Sequence, residues 1–279
     1  MTRGWNASSR PGFAARTTTL NEAIVALVRR HDPDRFLTAL FAPPEKRDAL
    51  LTLYAFNHEL ARAREAVSEP PLALIRLQWW REVVEGARRR HEVAEPLAGV
   101  IEAGELGRPE LLALIDARAI EAEPTIDTLE AWRAYVLGNA GGLAVAAGRL
   151  LGAPDPEVLR SAGAAYGVAG VLRNVPTHAR QGRCMLPDDV LSEHGLTREQ
   201  IIASPAAAPV QAVIRRMIHE GLGLLDRPLR LPKRALAAAL PAVLASRDLR
   251  RALPFPPHRG LGDRLAVMLA GVTGRITFR

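Results

Sequence analysis

Three observations predict an all-α fold for this chain. Side chains of like character recur at steps of three and four, as along Leu50, Leu53, Tyr54, Asn57, Ala61 and Glu65, and residues so spaced share one helical face. No segment sustains the alternation of a half-buried strand. Pro and Gly cut the chain into pieces of helical length. With 279 residues and 48% hydrophobic content there is material for a full core. The chain is read as one domain over residues 21–279 behind a flexible basic tail over residues 1–20.

Taken in order, the tail carries Arg3, Arg10 and Arg16 and no acid before Glu22. A mitochondrial transit peptide and a disordered bacterial tail both look like this, and the tail is the reading adopted. The matching location is the bacterial cytoplasm, with peripheral membrane contact open, or the mitochondrial matrix if the start is a cleaved address. A helix is expected over 21–31, and Asp32-Pro33-Asp34 caps the next. Pro43 and Pro44 suit the first turn of a third, with Glu45 near its positive end, and that helix should stop near residue 68 because Pro70 and Pro71 cannot continue it.

A helix over 72–90 puts Leu74, Leu77, Trp80 and Val84 on one side. Trp79 and Trp80 read as packing residues, and Arg88-Arg89-Arg90-His91 as a solvated face. Three helices follow over 96–103, 109–123 and 129–151. The last contains Gly138-Asn139-Ala140-Gly141-Gly142, which lacks the GxGxxG pattern and a preceding strand, so it is no dinucleotide loop. Each such glycine costs about 1 kcal/mol against Ala in a helix, so these allow close helix approach or leave room for a bound chain. In the helix over 156–174, Gly163, Gly167, Gly170 and Asn174 form a nearly bare stripe, open to the same two readings. Pro176 should stop or kink that helix at Val175 and disturb the spacing beyond it. A turn over 186–189 precedes helices at 197–202, 209–225, 234–244 and 261–273.

The formal charge of +7 is almost wholly arginine, since Lys46 and Lys233 are the only lysines. Such a field favours acidic lipids, diphosphates or an acidic protein face. Nucleic acid is excluded as the expected partner, because aromatics are 5% of the chain and none interleave a basic run. Cys184 stands alone, which excludes an internal disulfide and a cysteine-based zinc site. No apolar run approaches the ~18 residues of a spanning helix.

Two segments carry a resemblance. Tyr54-Ala55-Phe56 with the polar end of its helix, and Val171-Leu172-Arg173-Asn174 followed by Arg180-Gln181-Gly182-Arg183-Cys184-Met185-Leu186-Pro187, together resemble the squalene/phytoene synthase family from about residue 34 to residue 196. The resemblance implies an isoprenoid-synthase-type helical bundle, in which active members join two prenyl diphosphates head to head. They hold Mg²⁺ on a DxxxD motif from each of two facing helices, the metal neutralising the leaving diphosphate. Here those four aspartate positions fall on Ala61, Glu65, Asn174 and His178, so one carboxylate remains. Arg62 stands where many members have a further acid, placing a cation where Mg²⁺ would approach. Phe56-Asn57-His58-Glu59-Leu60-Ala61 and Ile75-Arg76-Leu77-Gln78-Trp79-Trp80 are similar to the branch that includes the mitochondrial complex I assembly factor, which also lacks the motifs.

Three functions remain in view. The first is a non-catalytic member without a metal, binding an isoprenoid or other lipid-like ligand or a respiratory complex I assembly partner. Tyr54, Asn57, Arg173, Arg180 and Arg183 are its expected ligand-binding residues; the alternative for the arginines is pairing with Glu59, Glu65 or Asp189. The second is an active synthase using Mg²⁺ or a softer metal at Glu65, Asn174 and His178. The third is a basic peripheral membrane protein whose glycine stripe is filled by neighbouring side chains.

Overall fold

The computed structural model describes residues 13–278 apart from Ser68, Ala252, Pro254 and Pro257, with side chains from Glu22 onward save Pro70. Most of the expected tail thus lies outside the described residues. The helices are α1 Phe13–His31, α2 Pro33–Ala39, α3 Pro44–Glu65, α4 Pro70–Glu85, α5 Ala94–Glu102, α6 Arg108–Arg118, α7 Leu129–Val136, α8 Gly142–Leu150, α9 Leu159–Arg173, α10 Val175–Arg180, α11 Asp188–Glu193, α12 Arg198–Ala203, α13 Ala208–Gly223, α14 Leu236–Ala239, α15 Pro241–Leu249 and α16 Leu261–Thr273. Among the described residues, extended backbone pairs in one isolated antiparallel bridge, Leu229 with Ile276. The all-α expectation holds.

Local chemistry explains the boundaries that position the site. Asp32 caps α2 by accepting from the Arg35 N–H at 3.0 Å, and Pro33 occupies its first turn, where a missing N–H costs nothing. From Ala49 to Leu60, every residue of α3 except His58 is buried. A helix apolar almost all round must be surrounded, and α3 is packed by α1, α4 and α5. Trp80 sets its ring edge-on to Phe56 of α3 at 5.5 Å, and Trp79 packs on Trp80, while Arg88 and Arg89 pair with Glu102 and Glu82 at the surface.

Four expectations need correction. The helix over 129–151 is divided by a π-turn, Leu137–Gly141, between α7 and α8. The segment 109–123 is α6 followed by a 3₁₀ turn, Ala119–Ala122. The turn over 186–189 runs on into α11, because Asp188 and Asp189 lie in its first turn and complement the helix dipole. The helix over 234–244 opens as a 3₁₀ turn and α14, is restarted by Pro241, and reaches Leu249.

The glycine stripe packs closely at one end and opens onto space at the other. A Cβ on Gly163 would lie 2.6 Å from the Ala140 carbonyl oxygen and one on Gly167 2.7 Å from Ala140 Cβ, so α9 and the π-turn meet there backbone to backbone. A Cβ on Gly170 would meet nothing within 4 Å.

Candidate polar chamber

Asn57, Ala61 and Glu65 project from α3 at steps of four. Gly167, Gly170, Asn174 and His178 run down α9 into α10. These two lines border one cavity of about 650 Å³, so all four degenerate motif positions converge. Asn174 ends α9, and Pro176 sits in the first turn of α10. The break expected at Val175 therefore occurs, but the disturbed spacing does not follow. His178 N–H donates to the Asn174 carbonyl at 2.8 Å, because proline in a first helical turn forfeits no bond and the new helix starts in register.

The expected site residues divide. Asn57, Arg173 and Arg183 line the chamber. Tyr54 does not: it is 2% exposed and stands behind the wall in a small cleft with Arg35 and Tyr166. Arg180 points to solvent and donates to Thr177 Oγ1 at 3.1 Å. Arg62 brings no cation to the motif face, since Glu59, one turn back, holds it at 3.3 Å. None of the acids expected to neutralise the arginines does so; Arg173 instead pairs with Asp248 at 3.1 Å.

Charged pairs that the motifs do not mark complete the walls. Arg35 pairs with Asp32 at 2.8 Å and lies over the rings of Tyr54 and Tyr166, 5.7 and 4.8 Å from their centroids. Arg118 pairs with Glu121 at 2.6 Å and donates to Asn57 Oδ1 at 3.1 Å, while the Tyr135 hydroxyl donates to Glu121 at 2.7 Å. Near the C terminus Arg259 clasps Asp34 at 2.8 Å and Asp248 at 2.6 Å, and the Tyr166 hydroxyl donates to Asp34 at 3.0 Å. Sequence reasoning missed Arg35, Arg118, Glu121 and Arg259. The one available signal was Asp32-Pro33-Asp34, which was read only as a cap.

The mouth is different. Among the described residues, Arg183 is the lining arginine with no carboxylate partner; its guanidinium meets Met185 Sδ at 3.4 Å. Burial first, then the charge of Arg183, depresses the Arg64 guanidinium. The same two causes take the His178 imidazole from 6.5 to about 4, and its Nδ1 is buried with no hydrogen-bond partner. The mouth thus sets an unpaired guanidinium beside a buried imidazole that burial, more than charge, keeps from taking a proton. Gly182, at φ +68°, makes the left-handed turn that brings Arg183 back to this mouth.

Magnesium does not fit this donor set. Among the described residues, no group of three or more His, Cys, Asp or Glu side chains is gathered to hold a metal ion. Glu65 alone of the four motif positions offers a carboxylate, whereas Mg²⁺ demands several oxygens in octahedral array.

A family pattern described as squalene/phytoene synthase matches residues 28–254. Over 235 residues the chain is 27% identical to NADH dehydrogenase (ubiquinone) complex I, assembly factor 6 of Rattus norvegicus, covering 80% of this chain and 69% of that one. It is 30% identical over 244 residues to phytoene synthase of Cereibacter sphaeroides, covering 80% of this chain and 65% of that one. A dehydrosqualene synthase crystal structure superposes with TM-score 0.74 at 12% identity, covering 93% of this chain and 98% of that one. A squalene synthase from Alicyclobacillus acidocaldarius superposes with TM-score 0.61 at 20% identity, over 93% and 92%. These likenesses in structure establish the isoprenoid-synthase fold.

Proposed function

The chain belongs to the squalene/phytoene synthase family, and from that premise we propose that it is a non-catalytic member serving respiratory complex I assembly. Its chamber holds an anionic, lipid-like ligand without metal. One observation carries this reading: the four motif positions meet at one chamber with a single carboxylate among them, and Arg183 faces that chamber without an acid. A guanidinium can take a phosphate oxygen directly, which is the task the family gives to Mg²⁺. The assembly role rests on the assembly-factor relatives.

The test uses farnesyl diphosphate in chelator. The ligand should raise the melting temperature, Arg183→Ala should abolish the rise, and neither Mg²⁺ nor Mn²⁺ should elicit pyrophosphate or a C30 product. A strain lacking the gene should lose NADH:quinone activity, and Arg183→Ala should fail to restore it. A second reading, an active head-to-head prenyl diphosphate synthase, draws on the phytoene synthase relative and on Glu65, Asn174 and His178 bordering one space. Turnover that Glu65→Ala abolishes would establish that reading and overturn the first.

A further inference from the structure

α16 is apolar on the side that should be polar. Leu261, Leu265, Met268, Leu269 and Val272 are 74%, 53%, 48%, 66% and 71% exposed. Their spacing places them in one stripe three turns long. They are half of the ten exposed large apolar side chains among the described residues, so the exposure is concentrated rather than scattered. The opposite side is the one that packs: Val267 and Ala270 are buried, and a Cβ on Gly271 would run into the Phe41 ring. The helix's one acid, Asp263, is buried and tied to Arg247 at 2.7 Å and to Arg251. The outward surface therefore carries no negative charge, and it does carry exposed Arg264.

Independent of the stripe, the chain sets two cations beside its end. The Leu229–Ile276 bridge brings Arg230 opposite Arg275, and both line an open groove of about 510 Å³. Like charges facing across such a pair repel, and neither side chain forms a hydrogen bond or ion pair among the described residues. An apolar helical stripe ending in unneutralised arginines is the pattern of an element lying in the interface of an anionic bilayer. No helix of the described residues is long and apolar enough to cross one.

We infer that α16, with Arg230 and Arg275, docks the protein on an anionic phospholipid bilayer, the stripe entering the acyl boundary and the arginine pair taking headgroup phosphates. The full chain should co-sediment with vesicles of phosphatidylcholine containing phosphatidylglycerol and not with phosphatidylcholine alone. Leu265→Glu with Leu269→Glu should abolish sedimentation while leaving circular dichroism and melting temperature unchanged, since both side chains are exposed. Arg230→Ala and Arg275→Ala should each weaken binding roughly fivefold at low salt. Leu269→Trp, which keeps the stripe apolar, should shift its emission to the blue on vesicles and be quenched by brominated acyl chains. Three results would overturn the inference: no sedimentation of the wild type, sedimentation untouched by the double Glu variant, or a solution dimer that the double variant dissolves while vesicles bind neither form.

Discussion

At the clasp, Asp34 and Asp248 hold Arg259 and Arg173 at distances from 2.6 to 3.1 Å. Across the same chamber, burial and then the charge of Arg183 depress both His178 and nearby Arg64, and Arg183 meets no carboxylate among the described residues. The first arrangement is self-sufficient, because each carboxylate, Asp248 buried and Asp34 half-buried, is neutralised within the fold and joins segments distant in sequence. The second leaves a guanidinium without a carboxylate partner among the described residues. Identical residue types thus serve architecture in one region and, on the proposed function, reception in the other, and the partner decides which.

Removing the shared acid of the clasp should have the largest effect. Asp248→Asn leaves Arg173 and Arg259 facing each other in a largely dry setting, at a cost of about 3 kcal/mol in urea unfolding; a loss below about 1 kcal/mol would mean that the clasp is not structural. Packing repeats the contrast along α9. Gly163→Ala forces a methyl against the Ala140 carbonyl and should cost about 2 kcal/mol, whereas Gly170→Ala, opening onto space, should stabilise by up to about 1 kcal/mol while reducing ligand-induced stabilisation.

Acid should unsettle the mouth. His178 is held near 4 in the folded chain against 6.5 in its ordinary state. The unfolded chain therefore binds the proton more readily below about 6.5, and stability falls as pH drops from there toward 4. The loss between pH 7 and pH 5 should be about 1 kcal/mol, allowing for partial solvent screening, and His178→Gln should remove it from the urea-midpoint profile. Arg183→Ala should be the gentlest change, within about 0.5 kcal/mol of wild-type stability, yet the most damaging to anion binding.

Much of the helical order was legible. Pro43 and Pro44 open α3, Asp32 caps α2, and the step-of-four line from Asn57 through Glu65 does face the chamber, whereas Pro70 and Pro71, expected only to end α3, begin α4. The walls were less so, because Arg118, Glu121 and Arg259 belong to separate elements and acquire meaning only through partners such as Asn57 and Asp34, the latter 225 residues from Arg259. Arg62 misled for a related reason. Sequence fixes the helical position from which a long side chain starts, while Glu59 decides where it ends. Tyr54 shares its face with Asn57, but the Arg35–Tyr166 layer closes over it.

The π-turn at Leu137–Gly141 has a genetic consequence. A π-turn is an α-helix carrying one surplus residue, and such insertions recur at functional sites. Excising one codon within it would let α7 and α8 fuse as one regular α-helix, with the flanking turns keeping their phase because the wide turn is what absorbs the surplus residue. Asn139 and Ala140, inside the turn, would be drawn away from the cavity wall, and Ala140 from its seat on Gly167. The chamber's shape is therefore encoded partly in chain length, so loss of one residue that does not line it, such as Gly138, would remodel it without substituting any side chain that does.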